Sequence, residues 1–259
     1  MLFQPISASH SFDTRIACRG RCPACDCEHV VHVGPAREEA SRLLAILERE
    51  GRIDFDVPKA QADPRLSVES LSGEARGQMF GVLVCRDRQG RTGVLKAFSG
   101  QFNGVWRVKG WAPPLVDVDA LKKMSFGVER VIKRIGRRMD ALPEDSPERG
   151  KLAKQRAAVS RALMKDIHAL YRIPNFQREL KPLPEVVHGD GGIPTGTGDC
   201  CAPKLLGYAA RYGLKPLGLA EFYFGRENKS ATRKHGGVYS SCTDKCGRIM
   251  GYMLCGLSK

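Results

Sequence analysis

The chain has 259 residues, enough for one large domain or for a domain carrying a smaller module. Its 42 Lys and Arg against 28 Asp and Glu leave a net charge of +14, which points to a polyanion, since clustered basic residues gain affinity by releasing counterions from phosphates. No apolar run is long enough to cross a bilayer and no basic-then-apolar leader opens the sequence. The expected setting is therefore cytoplasmic with no membrane partner, where ten cysteines read as metal ligands and reduced thiols and not as a disulfide framework.

Residues 1–34 contain CRGRCPACDCEHVVH, in which Cys18, Cys22, Cys25 and Cys27 precede His29 and His32. Four thiols this close are enough for a tetrahedral zinc site, so this segment is expected to be a small cysteine-rich module. Iron–sulfur ligation, or incidental thiols in a loose terminus, are the alternatives. The remainder, 35–259, reads as an α+β domain. Ala36, Ala40, Leu43, Leu44 and Leu47 recur at helical steps and predict a helix ending near Gly51. A polar connector follows over 52–75. The apolar runs 79–85 and 93–99, joined by RDRQGRT, predict a β-hairpin, with a further strand expected over 106–111 before Pro113 and Pro114. The tryptophans, with Phe98 and Phe102, fit either a core or a base-stacking platform.

Two helices are predicted over 121–138 and 149–171, an inserted hairpin at about 119–172. Val128, Val131, Ile132 and Ile135 give it an apolar face. Lys122, Lys123, Lys133, Arg134, Arg137 and Arg138 give the opposite face phosphate-contact candidates, with a merely solvated face as the alternative.

In the last part, Pro194, Gly196 and Gly198 make a turn and Asp199 is expected to cap a helix carrying Leu205, Leu206, Tyr208 and Ala209 and closed by Gly213. Residues 217–224 predict a buried strand. Cys242 and Cys246 stand one turn apart at the start of a helix over 248–254, so Cys200 or Cys201 can join them around one zinc ion. Glu221, Lys204 and His235 are the candidates for chemistry at that ion, and Arg233 for a nucleic-acid contact. His188 with Asp190, and the phosphate-cradle-like TGTGD at 195–199, are weaker signals.

The order of hairpin, cysteine helix, strand and Cys-x3-Cys helix resembles the zinc-dependent cytidine and adenosine deaminase fold, which implies a mixed sheet with flanking helices. At the place of that family's proton-carrying Glu stands Ala202 or Pro203. The segments GQMFGVLVCRDRQGRTGVLKAFSGQF, IPTGTGDCCAPKLLGYAARYGLKPLGLAEFYFG and RKHGGVYSSCTDKCGRIMGYMLCGL also resemble the domain that precedes the catalytic domain in the longer RluA-type pseudouridine synthases. That resemblance implies that Cys200, Pro203, Lys204, Glu221, Arg233, His235, Tyr239, Cys242 and Cys246 occupy motif positions. It implies an accessory protein that binds zinc and ribosomal or transfer RNA, with an RNA-modifying enzyme as a possible partner. No RLDxxTSG segment occurs, so the chain is not expected to make pseudouridine itself. An enzyme acting on a nucleobase and a DNA-binding or regulatory protein are the other readings. An open fourth coordination position would favour the enzyme, a closed one the binding module.

Overall fold

The computed structural model describes residues 2–7, 12–74 and 76–257. Its fold is α+β, with nine strands and five helices in those residues. After a two-residue strand β1 (Gln4–Pro5), strands β2 (Asp13–Cys22) and β3 (Cys27–Gly34) form an antiparallel hairpin, followed by α1 (Ala36–Glu50). The helix ends at Gly51, whose φ of 67° favours glycine, as the sequence predicts. Strands β4 (Gln78–Arg86) and β5 (Thr92–Phe98) form the predicted hairpin, its turn held by the Asp87 carboxylate, which accepts the Gln89 and Arg91 N–H groups at 2.9 Å.

Helices α2 (Val118–Asp140) and α3 (Pro147–Ala169) form the inserted helical hairpin, with the Asp117 side chain capping α2 and Pro147 opening α3. Short strands β6 (Arg172–Pro174) and β7 (Leu180–Pro182) lead to α4 (Cys201–Tyr212), β8 (Lys215–Phe224), β9 (Val238–Tyr239) and α5 (Gly247–Leu254).

The main sheet runs β1-β5-β4-β8-β9, and every described pairing is antiparallel, so the expectation of a mixed sheet is corrected. Successive residues on β4 face opposite ways. A side chain on Gly81 would meet Cys201 of α4, whereas Val82 lines a pocket with Leu43 of α1, which puts the two helices on opposite faces. Residues 106–111 form no strand. Trp111 instead donates its indole N–H to the Ile53 carbonyl at 2.8 Å and packs edge-on against Phe98. With Trp111, Phe98 and Phe102 all buried, these aromatic rings are core and not a stacking platform.

The cysteine hairpin shares its core with the rest of the chain, since Ala17, Cys18, Val31 and Val33 belong to the same buried cluster as Phe80 and Leu219. Helix α5 seats directly on β2 because Gly20 faces Gly251. A Cβ on either would run into the backbone of the other element. This close approach brings Cys255, just past α5, to the β2–β3 turn.

Candidate metal centres and nucleic-acid interface

Among the described residues, two groups of side chains could hold a metal ion. The first joins Cys200, Cys242 and Cys246. Cys200 lies at the start of α4, where it, and not Asp199, occupies the N-cap position. Asp199 instead accepts the Tyr171 hydroxyl at 2.9 Å. The Cys200 and Cys242 sulfurs are 3.7 Å apart. Thiolates bound at about 2.3 Å around one tetrahedral ion stand about 3.8 Å from each other, so this separation fits a shared ion. Hydrogen bonding with Cys200 and then Cys246 pulls the Cys242 thiol below its usual value. Backbone N–H groups support the sulfurs: Gly198 N donates to Cys246 Sγ at 3.5 Å and Cys246 N to Cys242 Sγ at 3.4 Å. The TGTGD loop thus spends an N–H on a thiol.

No fourth ligand joins this trio among the described residues. Beside Cys242 a pocket of about 330 Å³ opens, lined in part by Cys18, Arg19, Ser241 and Thr243. Cys201 lies apart from the trio. Its thiol points under the sheet toward the Met79 carbonyl at 3.4 Å, in the space left by Gly81, and burial pushes its pKa well up. Of the two alternatives, Cys200 joins the trio, and the candidate ligand Cys201 is corrected to a buried thiol of the core.

The second group is Cys22, Cys25, His29 and Cys255. Cys25 Sγ stands 3.2 Å from His29 Nε2 and 3.8 Å from Cys255 Sγ, again the spacing of ligands around one ion. Three of these four residues are buried. The expected set of Cys18, Cys22, Cys25 and Cys27 is therefore corrected at two positions. Cys18 lies four residues back along β2, on the same face as Cys22 but about 13 Å away along the strand, and it packs in the core, where burial raises its thiol to about 12. Cys27 is exposed and its thiol turns to the Cys25 carbonyl at 3.1 Å. Sequence reading missed Cys255 because it lies 230 residues from Cys25.

The proposed chemical residues have structural employment. Glu221 is 4% exposed, and its Oε1 accepts the Ala202 N–H at 2.8 Å and the Ser241 hydroxyl at 3.2 Å. Burial pushes its carboxyl up to about 7. Lys204, 1% exposed, donates to the carbonyls of Phe98 at 2.9 Å and Gly100 at 2.6 Å, while burial lowers its pKa to about 8. His235 is far from the thiols in role. Its Nδ1 accepts the Gly225 N–H at 3.0 Å and its Nε2 meets Glu48 at 3.0 Å. The HGDGG loop is clamped by Arg248, whose guanidinium donates to the carbonyls of His188, Gly189 and Gly192, and no hydrogen bond joins His188 to Asp190 among the described residues.

On α2, Lys122, Lys123, Lys133, Arg134, Arg137 and Arg138 are all exposed. Arg138 reaches Glu148 at 3.4 Å; the other five form no ion pair among the described residues. At 100° per residue Lys122, Lys133, Arg137, Lys123 and Arg134 fall on one side of the helix, and Phe126 falls among them. Phe126 is 70% exposed, with the Arg130 guanidinium 5.8 Å from its ring centre. Its signal in the sequence is a lone aromatic inside a basic stripe, which apolar periodicity does not register. Arg233 belongs elsewhere, stacked on Tyr239 at 4.2 Å. No described helix is long and apolar enough to cross a membrane. No family model, curated protein or solved structure matches the chain.

Proposed function

We propose that this protein is a zinc-bound, RNA-binding accessory factor of rRNA or tRNA modification, contacting RNA through the α2 face of the helical hairpin. The observation that carries the reading is the run of five exposed basic side chains, without an ion pair among the described residues, around an exposed Phe126. Unpaired surface charge of one sign attracts phosphate, and an aromatic ring among such charges offers an unpaired base a stacking partner. Zinc suits both thiol-rich donor sets, because a Cys3His set is a common structural zinc environment and sulfur ligands select against magnesium and calcium. In the Cys22, Cys25, His29 and Cys255 centre the ion would fasten the β2–β3 turn to the end of α5.

A second reading, a zinc-dependent hydrolase of a nucleobase, is favoured by one observation. The Cys200 centre offers three ligands beside a pocket, the arrangement that leaves a coordination position for water. Ala202 stands where a proton-carrying residue would be needed, and Glu221 is already engaged by Ala202 and Ser241, which keeps this reading second.

Binding of structured rRNA or tRNA fragments, single-stranded RNA and duplex DNA at fixed salt tests the first reading. Preference for RNA that disappears in Lys133→Glu/Arg134→Glu supports it, and equal binding by the variant overturns it. Release of ammonia from cytidine or adenosine by zinc-loaded protein tests the second.

A further inference from the structure

We propose that the pocket between the β4–β5 turn and the C-terminal end of α4 is a nucleotide site, distinct from the α2 surface. It encloses about 450 Å³ and is lined by Arg88, Arg91 and Arg211 together with Tyr208 and Tyr212. Small-molecule sites fall at about 300–1,000 Å³, so a mononucleotide is of the right order of size.

Charge is the first argument. Arg91 is committed to Asp87 at 2.7 Å. Arg88 and Arg211 have no carboxylate partner among the described residues. Arg211 gives one donor to the Arg172 carbonyl at 3.1 Å and keeps the others, while the Arg88 guanidinium lies over Gly213 in space that a Cβ would fill. The C-terminal end of a helix offsets only about half a charge. Three arginines against Asp87 leave a surplus of two, and the neighbouring sheet end adds to it. Arg86 and Lys215 are register partners across β4 and β8, like charge opposite like. Among the described residues no ion pair joins Arg86, Arg88, Arg211 or Lys215 to a carboxylate, and an anion would balance this end of the sheet.

Shape is the second. Tyr208 and Tyr212, one turn apart on α4, stack with ring centres 4.3 Å apart and planes inclined by 29°. Tyr212 remains 62% exposed. A flat ring held against it, with its phosphate toward Arg88 and Arg211, uses both features at once. Arginine and tyrosine together select a ligand that is planar at one end and anionic at the other. Such a ligand can arrive as a free mononucleotide or as one nucleotide of an RNA strand.

Titration of the full chain with uridine monophosphate, adenosine monophosphate, inorganic phosphate and a short oligouridylate tests the site and its source, with Arg88→Ala, Tyr212→Ala and Lys133→Glu/Arg134→Glu alongside wild type. Arg88 and Tyr212 are exposed, and circular dichroism checks that the variants fold. Mononucleotide binding that weakens about tenfold in both pocket variants and is unchanged in the α2 variant supports a free-nucleotide site. Oligouridylate binding weakened by the pocket variants, with no mononucleotide binding, supports a strand contact. Phosphate binding as tight as mononucleotide binding, or no effect of either pocket variant on any nucleotide, overturns the proposal. Loss of RNA binding in the α2 variant alone bears on the hairpin and leaves the pocket to its own result.

Discussion

Glu221 Oε1 receives the backbone N–H of Ala202 at 2.8 Å, so a carboxyl on β8 satisfies a donor in the first turn of α4. The same oxygen accepts the Ser241 hydroxyl, next to Cys242. One buried side chain thereby holds the two segments that carry Cys200 and Cys242. Glu221→Ala strips both donors of their acceptor in a closed interior and is expected to cost about 1–3 kcal/mol of unfolding free energy for each donor left unpaired. Glu221→Gln keeps the carbonyl oxygen and the shape and should lose less. Denaturant unfolding with metal analysis of both variants checks this. Equal stability of Glu221→Ala and wild type would remove Glu221 from its bridging role.

Metal content should follow the spatial grouping and not the clustering of cysteines along the chain. Cys242→Ser is expected to lose one equivalent of zinc per chain, and Cys255→Ser the other. Cys27→Ser should lose none, since its thiol is exposed and faces the Cys25 carbonyl. Chelation should lower the melting temperature of wild type, because an ion bound only by the folded chain contributes its binding free energy to stability. Elemental analysis of protein purified without added metal decides the matter. A normal zinc content in Cys255→Ser would dismiss the Cys22, Cys25, His29 and Cys255 centre.

The contrast between Cys27 and Cys255 also shows what a sequence can reveal. The β4–β5 hairpin, β8 and the helices α1 through α5 follow local rules of periodicity, capping and turn chemistry, and those rules locate them within a few residues. The β2–β3 hairpin has its own signal in Val31 and Val33, buried on either side of an exposed His32, but dense thiols in the same stretch carry an equally local signal of ligation. Cys255 and the contact of Gly20 with Gly251 depend on how distant elements pack, which no local pattern encodes. The same holds for Lys204 and Glu221: their presence on apolar elements signals partners, and only the packed chain identifies these as the carbonyls of Phe98 and Gly100 and the Ala202 N–H.

Lys204 is the sharper case of a buried charge held by the backbone. Its two carbonyl acceptors join the end of β5 to α4, and Lys204→Met should fill the space while leaving both carbonyls unpaired. The expected loss is about 1.5–3 kcal/mol, the range for hydrogen bonds to a charged group. Chemical denaturation reads this directly. A Lys204→Met protein as stable as wild type would mean that water replaces the ammonium at both carbonyls.

On the α2 surface, phosphate contact and base contact should separate experimentally. Replacing Lys133 and Arg134 removes charges that release counterions, so the slope of log affinity against log salt should flatten by about 0.7–0.9 for each lost phosphate contact. Phe126→Ala should leave that slope unchanged and weaken single-stranded RNA about tenfold, as loss of one stacked base does. Neither change should alter melting, because all three side chains are exposed. A change of slope in Phe126→Ala would assign the ring to positioning Arg130 and not to stacking.

His168 on α3 supplies a pH test. It is 8% exposed, its Nε2 has no hydrogen-bond partner among the described residues, and burial pushes its pKa below the usual 6.5. The folded chain therefore holds this imidazole neutral at pH values where the unfolded chain has already taken up a proton. Because the unfolded state binds more protons in that window, the His168 contribution to stability falls as pH drops below 6.5 toward the folded value. His168→Leu removes both the proton site and the unpaired buried nitrogen. Its stability relative to wild type should rise as pH is lowered through this window, with carboxylate titrations common to both proteins cancelling in the difference. Unfolding free energies measured for the pair across that range give the answer, and a difference that stays constant with pH would mean that His168 protonates as readily in the folded protein as in the unfolded chain.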